Sequence, residues 1–392
     1  MIARIFIPIL LAILLPDFYI DSHYLRHRLR RYTWWHRLLW WMPALAMVAY
    51  TVVLASTRNF VPSDAFWIEL YMYLCGIFVA PKAIFAFCSF LGLVWCRVRH
   101  THKNWGNAIG PLLALIGVGA FFYGLTIGFR KLEVRHVDLY LERLPDAFDG
   151  YRIVHFSDVH VGMFKDHRHL LERNVDSVNA QHADLICFTG DLENIQPQEL
   201  YPFRDLLSSL HARDGVFSVL GNHDYSGYIA APPSVKAANE RELRNLETHL
   251  GWRLLLNEHA VIRRGNDSIV VAGMENDGKP GVDDYDDIGK ALNGVGRRDF
   301  VLLLEHNPSK WPQMVDPAYG HPLPDVTLCG HTHAGQISVL GLRPTMLAYP
   351  VDYGLAERDG RFLYVTSGWG GVVPFRLGAT PEIAVITLHK KR

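Results

Sequence analysis

The sequence predicts a bundle of about four membrane-spanning helices followed by a domain of the α/β class. Three observations carry this. Long apolar runs dominate the first third of the 392 residues, and most acidic residues come after it. From residue 151 onward, short apolar runs alternate with segments of helical periodicity. Five of those runs end in turns that carry Asp, Asn or His.

Crossing the hydrocarbon core takes about 20 mostly apolar residues. Residues 38–56 and 109–129 satisfy this cleanly, and 2–20 and 66–95 complete the anchor, residues 1–130. The first run holds Pro16 and Asp17. No small-x-small cleavage site follows it, and a His/Arg-rich stretch comes next, so an uncleaved anchor is expected rather than a signal peptide. The third run holds Pro81-Lys82 near its middle, which predicts a kinked, tilted helix, and no acidic partner for Lys82 is visible. In the fourth, Gly110, Gly117, Gly119 and Gly124 would let another helix approach closely.

Arg26, Arg28, Arg30, Arg31 and Arg37 follow the first span, and Arg97, Arg99 and Lys103 follow the third. Between the second and third lies only Arg58. Basic loops stay in the cytoplasm, so the rest of the chain is expected on the extracytoplasmic side of the cell (inner or plasma) membrane.

Residues 131–150 read as a connector, an edge strand over 131–141 and a turn over 144–150. Residues 151–392 form the second domain. Helices are predicted over 167–181, with Leu170, Leu171, Val175 and Val178 near one face, and over 200–210 and 239–250. Short strands are predicted at 253–256, 260–263, 268–273, 362–365 and 383–388, besides the five strands that end in polar turns. Residues 277–287, with Asp283, Asp284, Asp286 and Asp287, lack the spacing of a calcium loop and read as solvated. The five cysteines form no CxxC pair and read as small buried hydrophobes. Zero formal net charge and the absence of a basic stripe argue against a nucleic-acid partner.

The five strand ends carry the chemistry. The run 153–157 ends in Asp158-Val159-His160, and 186–188 in Thr189-Gly190-Asp191. The run 216–220 ends in Gly221-Asn222-His223-Asp224, 301–305 in His306-Asn307-Pro308, and 326–329 in Gly330-His331-Thr332-His333. Each motif alone is unremarkable; Gly-Asp is an ordinary strand exit. Together Asp158, His160, Asp191, Asn222, His306, His331 and His333 supply two carboxylates, one amide and four imidazoles. Nitrogen and oxygen donors without thiolate suit Mn, Fe or Zn. Seven donors exceed what one ion takes, so two ions are the economical reading. Two metals about 3.5–4 Å apart clamp the attacking and leaving oxygens of a phosphoryl displacement.

This ordered set resembles the calcineurin-like metallophosphoesterase superfamily, over about residues 132–388. The resemblance implies two packed sheets flanked by helices, with ligands on loops at the strands' carboxyl ends. It implies one metal on Asp158, His160, Asp191 and His333 and a second on Asp191, Asn222, His306 and His331, with Asp191 as the bridge. His223 would protonate the leaving oxygen or stabilise the transition state, oriented by Asp224, while a hydroxide held between the metals attacks phosphorus in line. Gly330-His331-Thr332-His333-Ala334-Gly335-Gln336, the His306-Asn307-Pro308 box and the late Ser367-Gly368-Trp369-Gly370 and Pro374-Phe375-Arg376 segments look like the membrane-associated bacterial YkuE-like branch. Relatives often carry a second Asp near Asn194, a position that is not a ligand. Arg376 could bind a substrate phosphate.

The expected function is a membrane-anchored dinuclear phosphoesterase acting on a phosphate ester or pyrophosphate at the bilayer surface, with a lipid-linked substrate attractive. UDP-diacylglucosamine-type pyrophosphate cleavage is one candidate, although that substrate is cytoplasmic and conflicts with the expected orientation. The alternative is a membrane sensor or transporter whose phosphoesterase-like domain only binds.

Overall fold

The computed structural model describes residues 6–29, 31–56, 65–276, 286–371 and 373–391. Arg30, Arg58, Asp283 and Asp284 lie outside them. The chain divides into two compact units, Met1–Thr126 and Ile127–Arg392.

The first unit contributes helices α1 (Phe6–Tyr19), α2 (Trp34–Ser56), α3 (Ala65–Phe78), α4 (Ala80–Arg99) and α5 (Gly106–Thr126). With their extensions they make four stretches long and apolar enough to cross a membrane, Phe6–Leu25, Trp34–Ser56, Phe66–Arg99 and Gly106–Arg130. Pro16 does not end the first; the helix runs past it and continues as a π-helix over Ile20–Leu25. The third breaks at Val79, two residues before Pro81, which sits in the first turn of α4. A ring there removes a backbone donor and clashes with the preceding turn, so the interruption falls just ahead of it.

Close helix contact runs through some of the glycines. A Cβ at Gly110 would lie 3.0 Å from the Phe85 ring and one at Gly117 2.3 Å from Ile84, whereas one at Gly119 would meet nothing within 4 Å. Lys82 does have an acidic partner. Its Nζ lies 2.8 and 3.0 Å from the two carboxylate oxygens of buried Asp17. The pair is separated by 65 residues in the chain, which hid it from the sequence. Asp21, also buried, accepts from Arg37 at 2.8 Å and Trp41 at 3.0 Å. Both buried carboxylates of this unit, Asp17 and Asp21, are thus matched by a cation, as a low-dielectric setting demands.

The second unit is built on two six-stranded sheets. One has the order β1-β12-β2-β3-β4-β5, from β1 (Glu133–Leu141), β2 (Tyr151–Phe156), β3 (Leu185–Phe188), β4 (Val216–Ser218), β5 (Arg253–Leu254) and β12 (Glu382–Lys390). The other has the order β10-β11-β9-β8-β7-β6, from β6 (Glu258–Arg264), β7 (Asp267–Gly273), β8 (Phe300–Leu304), β9 (Val326–Cys329), β10 (Gly354–Arg358) and β11 (Arg361–Val365). Strands β2 to β5 are parallel, as are β7, β8, β9 and β11. Because the inner strands are buried on both faces, they read as unbroken apolar runs.

Ile153, Leu185, Cys187 and Ile386 from one sheet meet Val271, Leu302, Leu304 and Leu328 from the other in the central core. The outer face of the first sheet is covered by helix α6 (Arg168–Asn179), whose Leu171, Val175 and Val178 pack with Val154, Ile186 and Phe188. Helix α7 (Pro233–His249) adds Leu243 and Leu246 to the same layer. It begins six residues before the periodicity suggested, with Pro233 at its first turn, where a missing N–H is harmless. The helix expected over 200–210 is a 3-10 segment, Pro197–Phe203, followed by a four-residue helical turn. Pro202 prevents a longer one. Of the acidic loop, Asp286 is not simply solvated; it pairs with Lys310 at 2.8 Å.

Candidate metal centre

Parallel strands point their carboxyl ends the same way, so β2, β3 and β4 of one sheet and β8 and β9 of the other deliver their following loops to one end of the sandwich. Backbone bonds lock the loops together. The N–H of Asp158 donates to the Gly190 carbonyl at 2.9 Å and that of His160 to the Asp191 carbonyl at 3.1 Å. The His331 N–H donates to the Asp158 carboxylate at about 3 Å, tying the two sheets' loops. A Cβ at Gly330 would sit 2.0 Å from the Ser157 hydroxyl oxygen, so only glycine allows this approach. Asp158, His160, Asp191, His331 and His333 all adopt left-handed backbone conformations, with φ between 47° and 72°. Five strained residues in one cluster mark a site whose surroundings over-determine it.

Asp158, His160, Asp191 and His333 are brought together so that one ligand atom of each lies within 4.8 Å of the others. Asp191 occupies the middle. Its Oδ1 accepts the His223 backbone N–H at 2.8 Å. Its Oδ2 is 3.6 Å from His160 Nε2 and 3.3 Å from His306 Nε2. The remaining donors gather around His306, whose Nε2 is 3.2 Å from Asn222 Oδ1 and 3.2 Å from His331 Nδ1. His306 Nδ1–H donates to the Thr189 carbonyl at 2.7 Å, which fixes the ring and turns Nε2 inward.

Two observations fit a pair of cations. His160 is fully buried, yet its Nε2, the nitrogen that faces Asp191, has no hydrogen-bond partner among the described residues. Buried polar nitrogens are otherwise almost always paired. The electrostatics agree. Burial, with His223 alongside, pushes His160 down to about 3, so its ring is neutral and fit to ligate. Burial and then His160 hold His333 well below the usual imidazole range. Burial works to raise Asp191, but His306, His223 and His160 keep its carboxyl well below the usual range and therefore anionic. Burial lifts Asp158 to about 6. His306 is the exception: burial works to lower it, but Asp191 alongside lifts its ring to about 10, so a cation bound there would take the place of its proton. The anionic Asp191 with the neutral His160 and His333 is a donor set for a divalent ion.

His223 borders the cluster, its ring centroid 4.8 Å from that of His160 and the two rings nearly perpendicular. Its Nδ1 lies 2.6 Å from the Asn194 carbonyl, an acceptor only, so Nδ1 carries the proton and donates it there. Asp224 does not orient this ring, contrary to the expectation. Its carboxylate is wholly occupied by the backbone N–H groups of Asp191, Leu192, Glu193 and Gly221, at 2.8–3.2 Å. Asp224 shapes the loop that holds Asp191.

Arg376 does not face a substrate either. It is buried, and its guanidinium donates to the carbonyls of His333, Ser367, Gly370 and Ala379. Its role is to hold the glycine-rich loop against the loop that carries His333.

Residues without a sequence signal complete the site. The Tyr228 hydroxyl accepts from Asn222 Nδ2 at 2.8 Å, which turns the amide oxygen toward His306, and its ring stacks on His223 at 4.2 Å. Tyr349 sets its ring edge-on to His331 at 5.7 Å. The aromatic at position 228, four residues after the Gly-Asn-His-Asp motif, was the only available hint.

Comparison with known proteins agrees with this geometry. The family profile described as probable calcineurin-like phosphoesterase, transmembrane domain, matches residues 3–129, and that of the calcineurin-like phosphoesterase matches residues 151–335. A transmembrane protein with metallophosphoesterase domain from Danio rerio is 30% identical over 351 residues, covering 84% of this chain and 76% of its own. The uncharacterized metallophosphoesterase YkuE of Bacillus subtilis is 28% identical over 286 residues, 70% of this chain and 92% of its own. The UDP-2,3-diacylglucosamine pyrophosphatase LpxG of Chlamydia trachomatis is 28% identical over 308 residues, 62% of this chain and 86% of its own. The chain therefore belongs to the calcineurin-like phosphoesterase family, as a metal-dependent phosphoesterase that carries its own transmembrane domain.

Proposed function

We propose that the chain hydrolyses a phosphate ester or pyrophosphate of a membrane-linked substrate at a dinuclear centre, with its catalytic unit, residues 151–392, on the extracytoplasmic side. The observation that carries the reading is Asp191 Oδ2, which lies between His160 and His306 and so is available to two ions at once. Asp158, His160, Asp191 and His333 would hold one ion, and Asp191, Asn222, His306 and His331 the other. Mn, Zn or Fe suit these donors. When bound, the ions supply charge to stabilise the phosphoryl oxygens and lower the pKa of the attacking water.

The chain's own groups do the rest. Because Nδ1 of His223 is committed to Asn194, Nε2 is the nitrogen that meets substrate. There it can protonate the leaving oxygen or hydrogen-bond a non-bridging one. Tyr228 keeps that ring in place from its far face. The pyrophosphatase among the relatives supports a pyrophosphate bond as one chemistry, and the transmembrane unit supports a substrate that shares the membrane.

The test is hydrolysis of bis-p-nitrophenyl phosphate by the full-length protein in detergent, with Mn, Zn or Fe and after chelation. Metal-dependent turnover that disappears in Asp191→Asn is expected. No turnover with any of the three, together with no bound metal, would sink the reading. A reporter fused to the carboxyl terminus tests the side of the membrane. The part-buried Lys82–Asp17 pair favours a second reading, a transporter or sensor whose second unit only binds, since ionised groups inside a bundle often mark a path. Wild-type turnover with an inactive His223→Ala would exclude it.

A further inference from the structure

A domain surface in water rarely gathers large aliphatic side chains in one place. Among its described residues the second unit does so once, over residues 339–347. Leu340 is 98% exposed, Leu347 95% and Leu342 70%, with Val339 and Met346 also open. Beyond Ile127 at the end of the last span, the unit's other exposed large apolar side chains, such as Tyr140, Tyr201, Val261 and Leu355, are scattered over separate elements.

The backbone makes the exposure deliberate. Val339 and Leu342 exchange two hydrogen bonds of 3.0 Å, closing a tight turn over Leu340 and Gly341. Both central residues have positive φ, 53° and 82°. That is the type I′ shape, which favours Asn or Asp at its first central position and disfavours a bulky residue. Leucine at position 340 is thus unfavourable in water twice, in its backbone and in its bare side chain. The turn is not loose. Arg343 makes a two-pronged pair with Asp352 at 2.7 and 2.9 Å, and the Thr345 hydroxyl donates to the same carboxylate at 2.7 Å. The segment continues directly from the ligand histidines. The Thr332 hydroxyl, between His331 and His333, donates to the Asp352 carbonyl at 2.6 Å, and Tyr349 lies against His331.

We propose that residues 339–347 dock into the bilayer interface beside the metal centre, so that the substrate is the phosphate-bearing headgroup of a lipid in the same membrane. The bilayer is the favoured occupant for two reasons. The last membrane-crossing stretch ends at Arg130 and β1 begins at Glu133, so the unit is tethered to the membrane by roughly 10 Å of chain. The tip is also purely aliphatic, whereas protein-binding hot spots draw on Trp, Tyr and Arg and under-use Leu and Val. The substrate assignment rests on the catalytic reading above; the docking does not.

The experiment uses the full-length protein in nanodiscs of phosphatidylcholine and phosphatidylglycerol. Leu340→Cys is labelled with bimane after Cys75, Cys88 and Cys96 are changed to Ser, while Cys187 and Cys329 are buried. A blue-shifted emission quenched by acyl-chain-brominated lipid is expected. Water-like, unquenched emission would overturn the docking, and so would an unquenched label together with a disulfide dimer of the unlabelled Leu340→Cys protein, which would make a second copy the occupant. In parallel, Leu340→Asn/Leu347→Ser, whose first change suits the turn, is assayed on a diacyl phosphodiester in the nanodisc and on bis-p-nitrophenyl phosphate. The ratio of lipid to soluble turnover should fall at least about ten-fold, the factor one buried Leu is worth. Quenching with an unchanged ratio would overturn the lipid-headgroup assignment. Quenching with no wild-type hydrolysis of either compound would sink the catalytic reading and leave the docking standing.

Discussion

Asp224→Asn separates two roles that look alike in sequence. In the structure both carboxylate oxygens of Asp224 accept two backbone N–H groups each, Oδ1 those of Leu192 and Glu193, Oδ2 those of Asp191 and Gly221. An amide can replace one oxygen and must turn an NH2 toward the other pair. Two buried donors then lose their acceptor, at about 1 to 3 kcal/mol each, so the variant should lose about 2 to 6 kcal/mol from the loop that carries Asp191. The expected phenotype is a lower Tm and weaker metal binding, with kcat largely recovered at saturating metal. Thermal unfolding with and without chelator, metal titration and kcat at high metal measure the three quantities. An unchanged Tm and metal affinity with a kcat that stays low would refute the scaffold role and return Asp224 to the orientation of His223.

Three further outcomes are expected. His223→Ala should lower kcat by about 100- to 10,000-fold with both metals retained by elemental analysis; loss of metal would make it a ligand instead. Arg376→Met should lower the Tm, at a cost of about 2 to 4 kcal/mol for the carbonyls it strands, and leave the KM for bis-p-nitrophenyl phosphate unchanged. Burial, reinforced by Asp224, pushes Glu247 up to about 8 beneath its Ser218 partner. Its folded value lies above the unfolded carboxylate value, so its contribution is full at low pH and is lost as pH rises toward 8. Glu247→Gln should therefore matter little at pH 5 and stabilise by a few kcal/mol, on the order of the shift, above pH 8, read as a flatter Tm profile.

Much of the centre was legible because its strands are. Parallel strands covered on both faces must be apolar throughout, so 186–188 and 326–329 stand out, and their polar exits line up in order. Side-chain direction was not legible. Arg376 carries the same residue type whether it faces a phosphate or four carbonyls, and Asp224 whether it serves a ring or a loop. The Asn194 carbonyl that orients His223 belongs to the backbone and has no residue signature at all. The pairing of Lys82 with Asp17 depends on two helices meeting, and the apolar period over 200–210 runs straight through Pro202, which stops a helix there. The left-handed ligands were invisible too, since a histidine in that conformation is spelled like any other.

Those left-handed ligands limit how the centre can be transplanted. Glycine would relax each of the five positions, but glycine carries no donor, and any donor-bearing residue must bear the strain, about 1 to 2 kcal/mol apiece. A designer who copies Asp158, His160, Asp191, His331 and His333 onto a scaffold of ordinary turns will have the right atoms at the wrong angles. The transferable part is the main chain of the loops, with Gly330 and Gly221 making room for them, and the side chains come second.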